Sequence, residues 1–362
     1  MAYGTVNTDI VSDSSGGRLA PISSVFRNRI INGGCVIDQR NAGASVTVNS
    51  TTTQYAVDRF QARGDSVGVF TIQQSSTAPA GFVNSLVATV TTPDSSIAAG
   101  RIYFLRQNIE GFNVADLNWG TANAKTVTLS FWVYSSLTGN FGGAIQNNSN
   151  ARSYPFSYTV SSANTWTQVS VTIAGDTTGT WTTNNTSGMR IDWCLGAGST
   201  FTTTANSWAA GEYYGFTGQT QLISTNGATF YITGVQLEVG SSATGYEYRQ
   251  YGQELALCQR YYYQSTPTTY NGVGSGVFIS GVRTNIYIKH PVSMRTAPTW
   301  GYSGTITMAG TGNYVASAIL VYYAGLDSSR VDFTVSGATS GQGCMAFTNN
   351  GSTDYVYGSA EL

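Results

Sequence analysis

Thr126-Val127-Thr128-Leu129-Ser130-Phe131-Trp132-Val133-Tyr134 decides the fold class. Val127, Leu129, Phe131 and Val133 fall on one side at a period of two, the mark of a strand with one buried face. Working outward, Trp166 to Ile173 repeats the pattern with Val169, Val171 and Ile173. Ser66 to Gln73 and Phe82 to Thr91 alternate in the same way, and Met189 to Leu195 and Ala228 to Val239 continue the series. The intervals are dense in Gly, Asn, Ser and Thr. Many short strands separated by turn clusters predict an all-β fold, an antiparallel jelly-roll β-sandwich.

The rest of the chain divides around this unit. Residues 1–27 carry Gly, Ser and Asp without sustained periodicity and read as an extended arm. Ile30, Ile31, Val36 and Ile37, around Gly33-Gly34, open the folded part, so the jelly roll is assigned to 28–248. Gly252-Gln-Glu-Leu-Ala-Leu-Cys-Gln-Arg260 is the one run of good helix formers. It predicts a short helical linker over 249–263. Residues 264–362 return to strand signals (Val277-Phe-Ile, Ile286-Tyr-Ile, Ala318-Ile-Leu-Val-Tyr-Tyr) and predict a smaller C-terminal β-sandwich. No fixed-period repeat argues for a solenoid or propeller.

Of 362 residues only 10% are charged, with 17 basic and 18 acidic side chains and a net charge of −1. An ordinary soluble domain has about 25%. No basic stripe offers itself to phosphates, so nucleic acid is excluded as a partner. High aromatic content and low charge are the reverse of a disordered chain. A surface this neutral suits a chain that associates, because interface cores exclude charge and favour tyrosine. A large share of the 23 tyrosines is therefore expected between subunits or domains.

The polar N-terminus has no secretory pattern, and the longest apolar run, Ala318 to Leu326, is far short of the ~20 residues that span a bilayer. Cys35, Cys194, Cys258 and Cys344 lie far apart without a CxxC pair, so zinc and redox motifs are not indicated. A long-range disulfide and four buried thiols both stay open, with buried thiols made in a reducing cytoplasm favoured.

Catalytic signals are sparse. His290 is the single histidine, and no nucleophile elbow surrounds a serine. Most carboxylates sit in loops or beside arginines (Asp58-Arg59, Arg190-Ile-Asp192), which suggests ion pairing in place of acid–base work. Gly272-Val-Gly-Ser-Gly276 lacks the spacing and helix of a phosphate loop. Arg63-Gly-Asp65 reads as a turn. No enzyme activity is expected. The functional signal lies in aromatics. Trp181, Trp208, Tyr213 and Tyr214 occupy Gly/Thr/Asn-rich loop sequence, where a flat ring can stack on a sugar. The competing reading is that such rings anchor loops or fill an interface. Trp132 and Trp166, in or at strands, are expected in the core. Glu238, on the last strand of the first unit, is a candidate oxygen ligand for a structural calcium.

Several strings, in a consistent order, resemble the tail fibre and receptor-binding proteins of tailed bacteriophages. They are Arg27 to Asn41, Tyr55-Ala-Val-Asp-Arg-Phe60, Val235-Gln-Leu-Glu-Val-Gly240, Tyr248-Arg249, Glu254 to Tyr263, and Pro291-Val-Ser-Met-Arg-Thr-Ala-Pro298. The resemblance implies a virion protein with a jelly roll similar to carbohydrate-binding modules, forming a homotrimer that attaches the particle to a host surface, often to a glycan. It implies that residues 1–27 anchor to other tail or virion proteins, and that the protein is assembled in the host cytoplasm and resides in the tail. A capsid fibre or decoration protein of the same fold is the alternative, and a polysaccharide-degrading enzyme a more distant one.

Overall fold

The stretch that decided the fold class is the strand Val127–Ser135, and Val127, Leu129, Phe131 and Val133 are all buried. The computed structural model describes residues 10–12, 18–21, 26–267, 269–349 and 353–362. Val127–Ser135 sits second in a six-stranded antiparallel sheet in the order Thr167–Ile173, Val127–Ser135, Thr229–Val239, Ser85–Thr92, Val69–Ser75, Val46–Val48. A seven-stranded antiparallel sheet faces it, ordered Ala209–Ala210, Arg152–Val160, Gly139–Asn147, Ser187–Ala197, Ile102–Glu110, Phe60–Arg63, Gln54–Tyr55. Apolar residues of both inner faces make one core. Phe131 of the first sheet meets Trp193 of the second edge-on at 5.8 Å. This is the antiparallel jelly-roll sandwich expected from the alternation.

Two expectations about tryptophan need correction. Trp132 and Trp166 are half-buried outside the core. The reason is the period of two: with Phe131 and Val133 facing in, Trp132 must face out. Trp166 packs beside Tyr134 and Tyr231 on that outer side, at 5.5 and 6.3 Å.

The helix is Tyr251–Gln259. Beyond it, Tyr262–Gln264 pairs with Tyr355–Ser359, which pairs with Thr299–Ser303. This small sheet packs on a second seven-stranded sheet, ordered Asn313–Val315, Ile306–Ala309, Gly343–Thr348, Gly272–Ser280, Arg283–Lys289, Ser328–Thr334, Ala318–Ala324. Trp300 and Tyr302 from one layer meet Phe333 and Val331 from the other in a separate core. Most of the arm over 1–27 lies outside the described residues. Within it, Ile10–Ser12 pairs antiparallel with Arg18–Pro21.

A layer of charge joins the two sandwiches. Arg40 reaches Asp58 at 3.4 Å and Glu361 at 2.8 Å, and Arg59 also pairs with Glu361. Their guanidinium groups lie over Tyr262 at 3.7 Å and Tyr261 at 3.6 Å. Arg260 grips Glu110 with bonds of 2.6 and 2.9 Å. Arg295 donates to the carbonyls of Ala360, Glu361 and Asn185 at 2.7–2.8 Å. Asn32 holds the entry loop by bonding Ile37 and Asp58, while its own N–H donates to Glu254. Asn32 and Arg59 both take left-handed backbone, at φ 61° and 71°, a conformation that these bonds sustain. At Gly33 a Cβ would stand 2.1 Å from the carbonyl oxygen of Val235, so only glycine allows the approach.

Candidate functional site

The four aromatics singled out in the sequence separate into two places. Trp181 and Trp208 join Trp119, a residue the sequence did not flag, in a mutually edge-on trio with centroids 4.7–5.7 Å apart. Their indole N–H groups are all engaged internally: Trp119 with the Lys125 carbonyl at 2.7 Å, Trp208 with the Ala174 carbonyl at 2.8 Å, Trp181 with Asp176 at 3.3 Å. Burial pushes the Asp176 carboxyl up, but the bonds from Arg152 and Thr178 outweigh it and hold the group below its ordinary value. A cavity of about 260 Å³ opens beside the trio, lined by Trp119, Trp181, Leu117, Met189, Thr182 and Asn118. Trp181 itself is only 9% exposed.

Tyr213 and Tyr214 lie elsewhere, on the outer face of the first seven-stranded sheet. Along Ile102–Glu110 the residues Tyr103, Leu105 and Ile109 point into the core, which turns Phe104, Arg106, Asn108 and Glu110 outward. Across the ladder Arg106 stands opposite Asp192 and bonds it twice, at 2.6 and 3.1 Å. Gln146 donates to the Tyr213 carbonyl at 2.6 Å and so ties the loop to the sheet. The Tyr214 ring stacks on Phe104 at 5.2 Å and 16°. Its hydroxyl donates to Glu212, which also accepts from Asn150 at 2.9 Å. Arg190 bonds Asn148 at 2.8 Å and Asn150. Burial raises the Asp192 carboxyl and the Tyr214 phenol against the pull of Arg106, and burial together with Arg106 lowers Arg190.

At one end of this face is a cavity of about 240 Å³, lined among others by Arg63, Gly64, Asp65, Phe201, Glu212 and Tyr214. Arg63 lines its wall, and among the described residues it makes no ion pair. Asp65 is 3.6 Å from Arg101. Arg63-Gly64-Asp65, which reads as a turn, is the end of the strand Phe60–Arg63 followed by two residues of cavity wall. The cavity thus presents a cation, two carboxylates and a phenol within one recess, the donor and acceptor set that orients a polyhydroxylated ligand.

Glu238 is buried and its oxygens accept from Thr244 N–H at 2.8 Å, the Thr244 hydroxyl at 2.7 Å and Gln236 at 2.9 Å. Among the described residues no group of three or more His, Cys, Asp or Glu is placed to hold a metal ion. His290 lies in the C-terminal core. Its Nδ1 meets the Leu326 carbonyl at 2.8 Å and its Nε2 meets the Ser329 hydroxyl at 2.9 Å. A serine–histidine contact is present, but Ser329 is 2% exposed and a carbonyl stands where a carboxylate would orient the ring. All four cysteines are free and buried. Among the described residues no helix is long and apolar enough to cross a membrane.

No protein-family model matches the chain, and no curated protein matches it. Solved structures do. The enzymatically active domain of tailspike protein 4 of bacteriophage CBA120 is 14% identical with a TM-score of 0.33, over 61% of this chain and 23% of that one. A putative sugar-binding protein from Bacteroides thetaiotaomicron is 13% identical with a TM-score of 0.31, over 59% of this chain and all of that one (100%). The family 11 carbohydrate-binding module of a Clostridium thermocellum cellulase is 10% identical with a TM-score of 0.28, over 57% and 100%. These are loose likenesses of fold and say nothing of what this chain binds.

Proposed function

We propose that the chain is a non-catalytic glycan-binding protein of a phage virion, a tail fibre that attaches the particle to a host surface as a homotrimer, with residues 1–27 anchoring it to other virion proteins. The observation that carries the glycan reading is the recess on the outer face of the first seven-stranded sheet, where Arg63, which makes no ion pair among the described residues, lines the wall together with Asp65, Glu212 and Tyr214. Sugar hydroxyls both donate and accept, which suits a recess of mixed sign. Tyr214 lines it and Tyr213 stands beside it. The phage reading rests on the resemblance. Several weak sites on one trimer would act together, raising avidity without stronger single contacts.

The test is binding of the recombinant full chain to an array of bacterial capsule and lipopolysaccharide oligosaccharides, repeated with Arg63→Gln and Glu212→Gln. A charge-assisted hydrogen bond is worth about 1.5–3 kcal/mol, so each variant is expected to weaken binding roughly 10- to 100-fold while its circular dichroism stays that of the wild type. Unchanged binding by both variants would remove this recess as the site. Release of reducing ends from the same polysaccharides would contradict the non-catalytic reading.

A further inference from the structure

The second seven-stranded sheet has one face in the C-terminal core and one face open. Strand register puts Met345 beside Ser275, Ser275 beside Tyr287, Tyr287 beside Arg330 and Arg330 beside Tyr323, a single row across five strands. A parallel row carries Val277 beside Asn285 and Leu320 beside Asp332. The opposite face, with Phe278, Ile286, Ile288, Val331 and Phe333, is the core side. On the open side the alternation should turn polar. Instead Val277 is 40% exposed, Leu320 46%, Met345 52%, Tyr287 55% and Tyr323 67%.

We infer that this open face is where copies of the chain meet. The inference rests on the homotrimer part of the reading above and names the surface that assembles it. Two features favour a second copy over another occupant. The first is charge. Asp332 is fully buried and receives Arg283 at 2.8 Å and Arg330 at 3.0 Å, so these three charges are tied together within the face, and Lys289 stands exposed at the end of its strand. Interface cores exclude charge, and the middle of this face presents apolar side chains. The second is area. Five large apolar side chains about half exposed amount to on the order of 500 Å² of apolar surface. That is the size that marks interaction sites, and more than half of the ~800 Å² per partner in a standard interface. Ser275 and Asn285 on the same rows supply polar contacts. The tyrosine richness of the chain then has a place: Tyr287 and Tyr323 are rings presented outward on strands, as interface cores prefer.

The experiment measures the mass of the full chain in dilute solution by sedimentation, for the wild type and for a Val277→Glu, Tyr287→Glu double variant. A trimeric wild type and a monomeric variant with unchanged circular dichroism is the expected result. A folded variant that stays trimeric overturns the inference and leaves the homotrimer standing on another surface. A monomeric wild type overturns both, while glycan binding is judged separately by the array. Hydroxyl-radical footprinting of the wild type covers a variant that fails to fold. Tyr287 and Met345 are expected to be protected in the assembled protein, and full labelling at both would overturn the inference.

Discussion

Tryptophan in a Gly/Thr-rich loop reads the same whether it stacks on a sugar or plugs the end of a sandwich. Trp181 and Trp208 show why the two differ physically. Each spends its N–H inside the protein and meets two other tryptophans edge-on. Trp181→Ala is therefore expected to cost stability, about 3–5 kcal/mol, measured by urea unfolding, with glycan binding of the folded fraction unchanged. A loss of binding with stability intact would make the cavity beside Trp119 a sugar site. The thiols make a second residue-level case. Burial pushes Cys35 and Cys194 up to about 12 and Cys258 well above the ordinary thiol value. A thiol held protonated is a poor nucleophile, so the native protein is expected to react with Ellman's reagent only after denaturant is added. Rapid reaction of any of the four in the native state would contradict their burial. Spacing alone left a disulfide open, and only the fold places the four sulfurs.

Among the elements, strand alternation was the legible part. Val127–Ser135, Thr167–Ile173 and Thr229–Val239 appear close to their expected bounds, and Tyr251–Gln259 lies within one residue of its run of helix formers. Ile102–Glu110 was not read as a strand. It is buried on both faces, yet its outer side carries Arg106, Asn108 and Glu110, sheltered by partners distant in sequence. Gly139–Asn147 looks like loop because Gly139, Gly142 and Gly143 interrupt it, although a Cβ at Gly143 would stand 1.9 Å from the Asp192 carbonyl oxygen of the neighbouring strand, and Arg152–Val160 looks like loop because it carries Pro155. The recess escaped notice because Arg63, Phe201 and Glu212 belong to three segments that meet only in space. The junction offers two predictions. Glu361 answers both Arg40 and Arg59. Removing one partner of a largely buried ion pair costs about 3–5 kcal/mol, so Glu361→Gln is expected to lower the unfolding free energy read from urea melts by that order, and an unchanged midpoint and slope would show the contact to be idle. Burial pushes Asp58 up to about 6, with Arg40 and Gln39 opposing. A carboxyl raised above its unfolded value, about 4, keeps a proton in the folded state that the unfolded chain gives up. Its stabilising contribution is full below pH ~4 and is lost as pH rises through about 6. Asp58→Asn is expected to flatten the pH dependence of stability between about pH 4 and 7, and a variant as pH-dependent as the wild type would rule out Asp58 as the source.

For the whole molecule, the low charge noted in the composition understates how little is left on the surface. Arg40, Arg59, Arg106, Arg249 and Arg260 are committed to the junction or to the face of one sheet. Tyr261 and Tyr262 lie between the two sandwiches, so part of the tyrosine content serves the contact between domains. The strings quoted for the resemblance bond one another: Asn28 the Val235 carbonyl at 3.0 Å and Arg249 the Ile30 carbonyl at 2.9 Å, both at the first sandwich, and the Arg295 N–H the Arg260 carbonyl at 2.8 Å at the junction. The residues of the recess lie outside those strings. The most direct test is the structure of the full chain with an oligosaccharide from the array bound. The expected result is a sugar in the recess with its hydroxyls on Arg63 and Glu212; a sugar seated against Trp119 and Trp181, or on the C-terminal sandwich, would contradict it.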